Sequence, residues 1–129
     1  MMPYLNKPKK KRQRDSRGER RQARVRIYCT EKWKQIRIGC LLEHPLCELC
    51  EARGITTLAE DVHHRSSFQL YEGAMKLYKA YDSNNLMSLC KACHAWIHRH
   101  GAVRDTDLEA EAEAADRAFG PGIVPHKYI

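Results

Sequence analysis

The sequence predicts a small α+β domain, with helices around a short β segment and a cysteine staple holding its two ends together. Three observations predict this. Apolar residues recur at helical spacing in several stretches, a β-rich run lies between them, and two CxxC pairs bracket that run. Of the 129 residues, the first 24 contain few apolar side chains, and 105–129 form an acidic, alanine-rich segment with a Gly/Pro-containing tail. Roughly 80 residues remain to build the fold, a size at which an apolar core alone supplies little and a metal or disulfide commonly helps.

In chain order, residues 1–24 read as a basic, flexible or partly helical arm. "YCTEKWKQIRIGCLLEHP" is a helix with Thr30 as its N-cap. Trp33, Ile36, Cys40 and Leu41 fall near one face, and Pro45 stops the pattern. "LCELCEARGITTLAEDVHHR" is a knuckle turn, a bend at Gly54 and a β-rich run through Thr56 and Thr57 to Val62. "FQLYEGAMKLYKAYD" predicts a second helix, with Leu70, Tyr71, Met75, Tyr78 and Tyr81 as core positions. "SNNLMSLCKACHAWIHRHG" ends in a third, closed by Gly101 after a positively charged last turn. Residues 105–118 are expected to be helical, whether or not they dock, and no internal repeat is present.

The net charge of +7 is unevenly spread. Residues 1–40 hold 14 of the 23 lysines and arginines, against only Asp15, Glu19 and Glu31, while "DTDLEAEAEAAD" carries six acids and no base. Such an arm favours a polyanion, most simply nucleic acid, through counterion release. A solvated tail or a nuclear-import-like run at "KPKKKRQR" is the plainer alternative. The basic N-terminus is not followed by the apolar run of a signal peptide, and no stretch is long enough for a membrane span. The expectation is an intracellular, cytoplasmic protein whose six cysteines are thiols or metal ligands rather than disulfides.

Four of those cysteines form the pairs Cys47/Cys50 and Cys90/Cys93. A CxxC turn brings two thiolates to one point at the separation a tetrahedral Zn²⁺ needs, and two turns close the site. A closed four-thiolate site leaves no open position, so this zinc is structural. It ties the start of the domain to its last core helix across 39 intervening residues. A thioredoxin-like redox motif would use a single pair in a βαβ setting. Cys29 and Cys40 have no CxxC partner and read as ordinary buried thiols.

Between the knuckles stand "VHH", then "NNL", then "LCKACHAWIH". With the CxxC pairs around them, these residues resemble the HNH endonuclease family, and more narrowly its small phage-type members with a four-cysteine zinc site. The resemblance runs from about Trp33 to His98. It implies a ββα-metal (His-Me finger) core, two strands and a helix gripping one catalytic divalent ion. It divides the chain into a basic arm (1–24), a nuclease domain (25–104) and an acidic helical segment with tail (105–129). Carried over by position, His64 is the general base, Asn85 orients the base and its loop, and His63 and His94 are metal ligands. His98, four residues after His94, matches a third ligand of the colicin-type nucleases; a helix C-terminal cation or a DNA contact is its other reading. Arg65 and the run Lys9, Lys10, Lys11, Arg12 are the weaker candidates for gripping DNA phosphates.

Side-chain alternation supports this division, because neighbouring histidines on a strand point to opposite faces. One ring can ligate while the other takes a proton, and an imidazole titrates in the right range. The chain departs from the family in three places. "HHRSS" replaces "HHIIP" or "DHIIP", Ile97 stands where many relatives have lysine, and the stretch from Arg65 to Asn84 is long and helical. His63 in place of Asp makes the site richer in nitrogen, which shifts preference from Mg²⁺ toward Mn²⁺, Ni²⁺ or Zn²⁺. The resemblance implies a metal-dependent DNA endonuclease that leaves 5′-phosphate ends. For the phage packaging type, a terminase is the expected partner, in a bacterial or phage-infected cell. The competing reading is a non-catalytic, zinc-stabilised module that only binds nucleic acid.

Overall fold

The structure, a computed structural model, describes residues 16–100 and 105–125. Helix α1 (Ser16–Tyr28) is far more regular than an arm, and it runs unbroken past residue 24 into the domain. Ala23 and Ile27 pack it against Phe68 and Ala80, and Gln69 Nε2 donates to the Arg20 carbonyl. Lys9, Lys10, Lys11 and Arg12 lie outside the described residues. Helix α2 (Glu31–Glu43) begins where the sequence places it. Thr30 is extended (φ −96°, ψ 150°), and its hydroxyl accepts the Trp33 amide at 3.1 Å, a cap that contributes about 1 kcal/mol. Trp33 and Cys40 face Val62 and Leu86 in one apolar cluster, and the chain leaves the helix just before Pro45.

Strand β1 (Asp61–His64) pairs antiparallel with β2 (Leu86–Leu89), placing His63 opposite Met87 and His64 opposite Leu86. Cys90 alone separates β2 from helix α5 (Lys91–Arg99), so β1, β2 and α5 form a continuous ββα unit. The short helix α3 (Glu48–Ala52) precedes β1, and Gly54 bends the intervening chain at φ 74°. The Gly101 cap expected after α5 is outside the described residues.

Two stretches differ from expectation. "FQLYEGAMKLYKAYD" is not one helix: a 3₁₀ turn (Phe68–Leu70) is followed by a break and then α4 (Gly73–Tyr81). Gly73 sits at φ 60°, which resets the helical phase. Phe68 and Ala80 therefore point inward and are buried, whereas the expected core residues Leu70, Met75 and Tyr78 are half or more exposed. Tyr71 and Tyr81 are partly buried, with the Tyr81 hydroxyl 3.2 Å from Thr30 Oγ1.

The acidic segment forms α6 (Leu108–Phe119), capped by Asp107, and it packs into the domain's own core. Its alanines permit close approach: Ala112 and Ala115 are buried beside Trp96 and Ile97. Arg53 clamps it further, donating Nε to Asp116 at 2.7 Å and Nη2 to the carbonyls of Gly120 and Ile123. Cys40 is buried as expected, but Cys29, at the α1–α2 turn, is exposed. Among the described residues, no helix is long and apolar enough to cross a membrane.

Candidate active site

The four knuckle cysteines converge, as their spacing predicts. Each pair opens a helix, where the first cysteine's sulfur caps the turn: Cys47 Sγ accepts the Cys50 amide at 3.4 Å and Cys90 Sγ the Cys93 amide at 3.5 Å. The Cys50 sulfur lies 3.5 Å from Cys93 and 3.9 Å from Cys90, and all four sulfurs fall within 4.8 Å of one another. All four residues are buried. Without a cation they could not share the space as thiolates. Hydrogen bonds from Cys50, Cys90 and Cys93 hold Cys47 far below the ordinary thiol range, and the hydrogen bonds that Cys90 and Cys93 make to Cys47 and Cys50 push them up. A soft divalent ion with four-coordinate preference fits this donor set.

On an adjacent face of α5 a second cluster gathers His63, His94 and His98, whose candidate ligating nitrogens also lie within 4.8 Å of one another. His94 and His98 share a helix face at i, i+4, and their Nε2 atoms are 2.9 Å apart. His94 Nδ1 donates to Asp61 Oδ2 at 3.0 Å, which leaves its Nε2 lone pair aimed at His98. His63 Nε2 sits 3.0 Å from Thr106 Oγ1. Burial, and then the nearby His94 and His98, press the His63 pKa down to about 3. Burial lowers His98 too. Burial thus favours the neutral ring at His63 and His98, the state in which imidazole binds metal. Three nitrogen donors in a cleft fit a divalent ion that keeps open positions.

His64 points to the opposite face, as alternation requires. Its Nε2 donates to the Ala80 carbonyl at 2.9 Å, so Nδ1 is the unprotonated nitrogen. Trp33 stacks on the ring at 5.1 Å and 20°, and Phe68 meets it edge-on. The Tyr28 hydroxyl lies 3.5 Å from Nδ1. Burial lowers the His64 pKa below 6.5, against the opposing pull of the Ala80 carbonyl. The ring is locked, neutral and oriented.

Asn85 accounts for the lock. Its Nδ2 donates to the carbonyls of Ser66 (2.9 Å) and Lys79 (2.8 Å), and its Oδ1 accepts the Ser66 amide. The carboxamide is thus fully used tying the turn after β1 to the end of α4, next to the carbonyl that holds His64. Arg65 is less available than expected for a phosphate contact. Its guanidinium pairs with Glu48 at 3.3 Å, and the other Glu48 oxygen accepts the Ser88 amide.

Two contributors went unread in the sequence. Asp61 lies two residues before His63, hence on the same strand face, and the period of two could have found it. Thr106 carries no local signal, because it reaches the site through the fold: its amide donates to the Arg65 carbonyl at 2.7 Å. The histidines line a cleft of about 980 Å³ whose walls also include Arg17, Arg20, Arg24 and Arg37.

The chain's ββα unit bears a histidine pair on its first strand, an asparagine just before the second and a histidine on the helix, the arrangement through which the sequence resembles the HNH endonucleases. The chain carries that fold together with a four-cysteine cluster suited to a metal. It is similar to the HNH endonuclease of the deep-sea thermophilic bacteriophage GVE2, whose crystal structure contains a manganese ion. The match has a TM-score of 0.56 and 29% identity, and covers 67% of this chain and 88% of the phage protein. No protein-family model and no curated protein matches the chain.

Proposed function

We propose that the protein is a metal-dependent DNA endonuclease. His64 is its general base, Asn85 its positioning residue, and His63, His94 and His98 hold the catalytic ion. The observation that carries this reading is the opposed orientation of adjacent histidines. His63 joins His94 and His98 in a three-imidazole cluster, while His64 keeps an unprotonated Nδ1 with its other nitrogen tied to a carbonyl. When bound, a divalent cation supplies positive charge to the scissile phosphate and the leaving 3′ oxygen. His64 Nδ1 takes the proton of the attacking water, Trp33 and Phe68 hold the ring in plane, and Asn85 ties down the Lys79 carbonyl next to the Ala80 carbonyl behind it.

Mn²⁺ is the favoured ion on the strength of the manganese found with the phage relative, although three nitrogen donors by themselves rank Ni²⁺ and Zn²⁺ above it. Ni²⁺, Zn²⁺ and Mg²⁺ are the other candidates. The cysteine quartet holds structural Zn²⁺. Attack on phosphorus with departure of the 3′ oxygen leaves 5′-phosphate and 3′-hydroxyl ends. A phage packaging module is the proposed setting, with a terminase as partner and the host cytoplasm as location. Incubating supercoiled plasmid with protein and Mn²⁺ should give nicks that DNA ligase seals without further treatment. No nicking with any of the four metals would refute the enzyme reading and favour the binding module. Nicks that ligase cannot seal would refute the product assignment.

A further inference from the structure

Resting on the nuclease reading, a more specific question is how a DNA strand reaches His64. Helix α1 answers it. Arg17, Arg20, Arg24 and Tyr28 follow one another at intervals of three, four and four residues, so at 3.6 residues per turn they form a single row. All three arginines are exposed and line the same cleft as the histidines. The only acid of the helix, Glu19, falls on the far side of it by the same periodicity. The row ends at the site itself, because the Tyr28 hydroxyl is 3.5 Å from the unprotonated Nδ1 of His64.

We propose that Arg17, Arg20 and Arg24 form a track for the phosphodiester backbone of duplex DNA, delivering one strand to His64. At a rise of about 1.5 Å per residue, the three guanidinium groups span about 10 Å of helix, the scale of two to three consecutive phosphates. Arginine's planar donor fork suits phosphate oxygens. The helix is held along the strip beside the row, where Ala23 and Ile27 pack on Phe68 and Ala80. Ala80 is also the residue whose carbonyl orients His64. Track and base are thereby mounted on the same packing contact, which fixes the register between bound strand and catalytic nitrogen.

The test is binding of a labelled DNA duplex, followed by fluorescence anisotropy without added Mn²⁺ or Mg²⁺, as a function of salt. Wild type is compared with R17A/R20A/R24A, with the charge-retaining R17K/R20K/R24K, and with R26A/K34A, which removes cations outside the cleft. The alanine triple should bind roughly tenfold or more weakly at about 0.1 M salt, and its plot of log affinity against log salt should be shallower by about 2 to 3. The lysine triple should recover most of that slope. Should the alanine triple fail to fold, Arg20→Ala alone should make the slope shallower by about 1. An alanine triple that binds as wild type, or that loses no more per charge than R26A/K34A, overturns the track. Tighter binding of duplex RNA than of duplex DNA overturns DNA as its ligand. Because binding is read without turnover, the track and the nuclease reading fail separately: a protein that binds through the row but never nicks loses only the second.

Discussion

Helix α5 contributes to two clusters suited to metal ions on adjacent faces, and they are built in opposite ways. Cys90 and Cys93 turn toward Cys47 and Cys50 into a pocket where Cys47, Cys50 and Cys93 have no solvent exposure at all. The very next residue, His94, turns toward His63 and His98 at the wall of the cleft, with a quarter of its side chain exposed. Four soft donors shut away from water make a staple. Three nitrogen donors facing a cleft make a site that can accept a substrate oxygen. Two neighbouring residues on one helix can therefore serve stability and chemistry separately, because 100° of helical rotation directs them to different surroundings.

The sharpest way to break that contrast is to cut the staple. Cys90→Ser should abolish zinc content by elemental analysis and unfold the domain by circular dichroism, because metal binding at such sites contributes on the order of 10 kcal/mol to folding. A folded, zinc-free Cys90→Ser protein would show that the quartet is not a staple. Next in size is the Asn85 lock behind His64. Asn85→Asp keeps the shape but loses both donors to the Ser66 and Lys79 carbonyls. It should lower stability in urea by about 1–3 kcal/mol and slow nicking.

Asp61→Asn should act on one cluster only. Losing the carboxylate behind His94 Nδ1 should weaken Mn²⁺ binding about 10–100-fold by calorimetry while zinc content stays unchanged. Equal loss of both metals would mean that the two faces of α5 are not independent. The gentlest probe is pH. His63 has a folded-state pKa near 3 against an ordinary 6.5, so below 6.5 the unfolded chain binds the proton in preference. Its contribution is complete above about pH 6.5 and is lost as pH falls toward 3. Urea midpoints of protein loaded with zinc alone should decline over that window, and less steeply for His63→Gln.

What the sequence made legible follows from what is local. The CxxC turns, the Thr30 cap, the alternation of His63 and His64 and the i, i+4 pair His94/His98 are fixed by short-range covalent geometry, and all appear where expected. The misses are phase or long-range effects. A single positive-φ glycine, Gly73, turned the inferred apolar face of α4 toward solvent. The docking of α6 depends on Arg53, whose partners lie 63 to 70 residues away, and Thr106 meets His63 across 43 residues. No window of sequence contains such pairings. Arg65 looked suited to a phosphate because its neighbour Glu48 is distant in the chain and adjacent in space.

The central claim is that adjacent histidines divide the labour, one holding the ion and one taking the proton. The most direct measurement sets Mn²⁺ affinity beside plasmid-nicking rate for His63→Ala and His64→Ala, both checked for folding and zinc content. His64→Ala should bind Mn²⁺ as wild type does and nick about 10²–10⁴-fold more slowly, whereas His63→Ala should lose Mn²⁺ affinity first. A His64→Ala protein that nicks like wild type, or one that loses its Mn²⁺ along with its activity, would contradict the account.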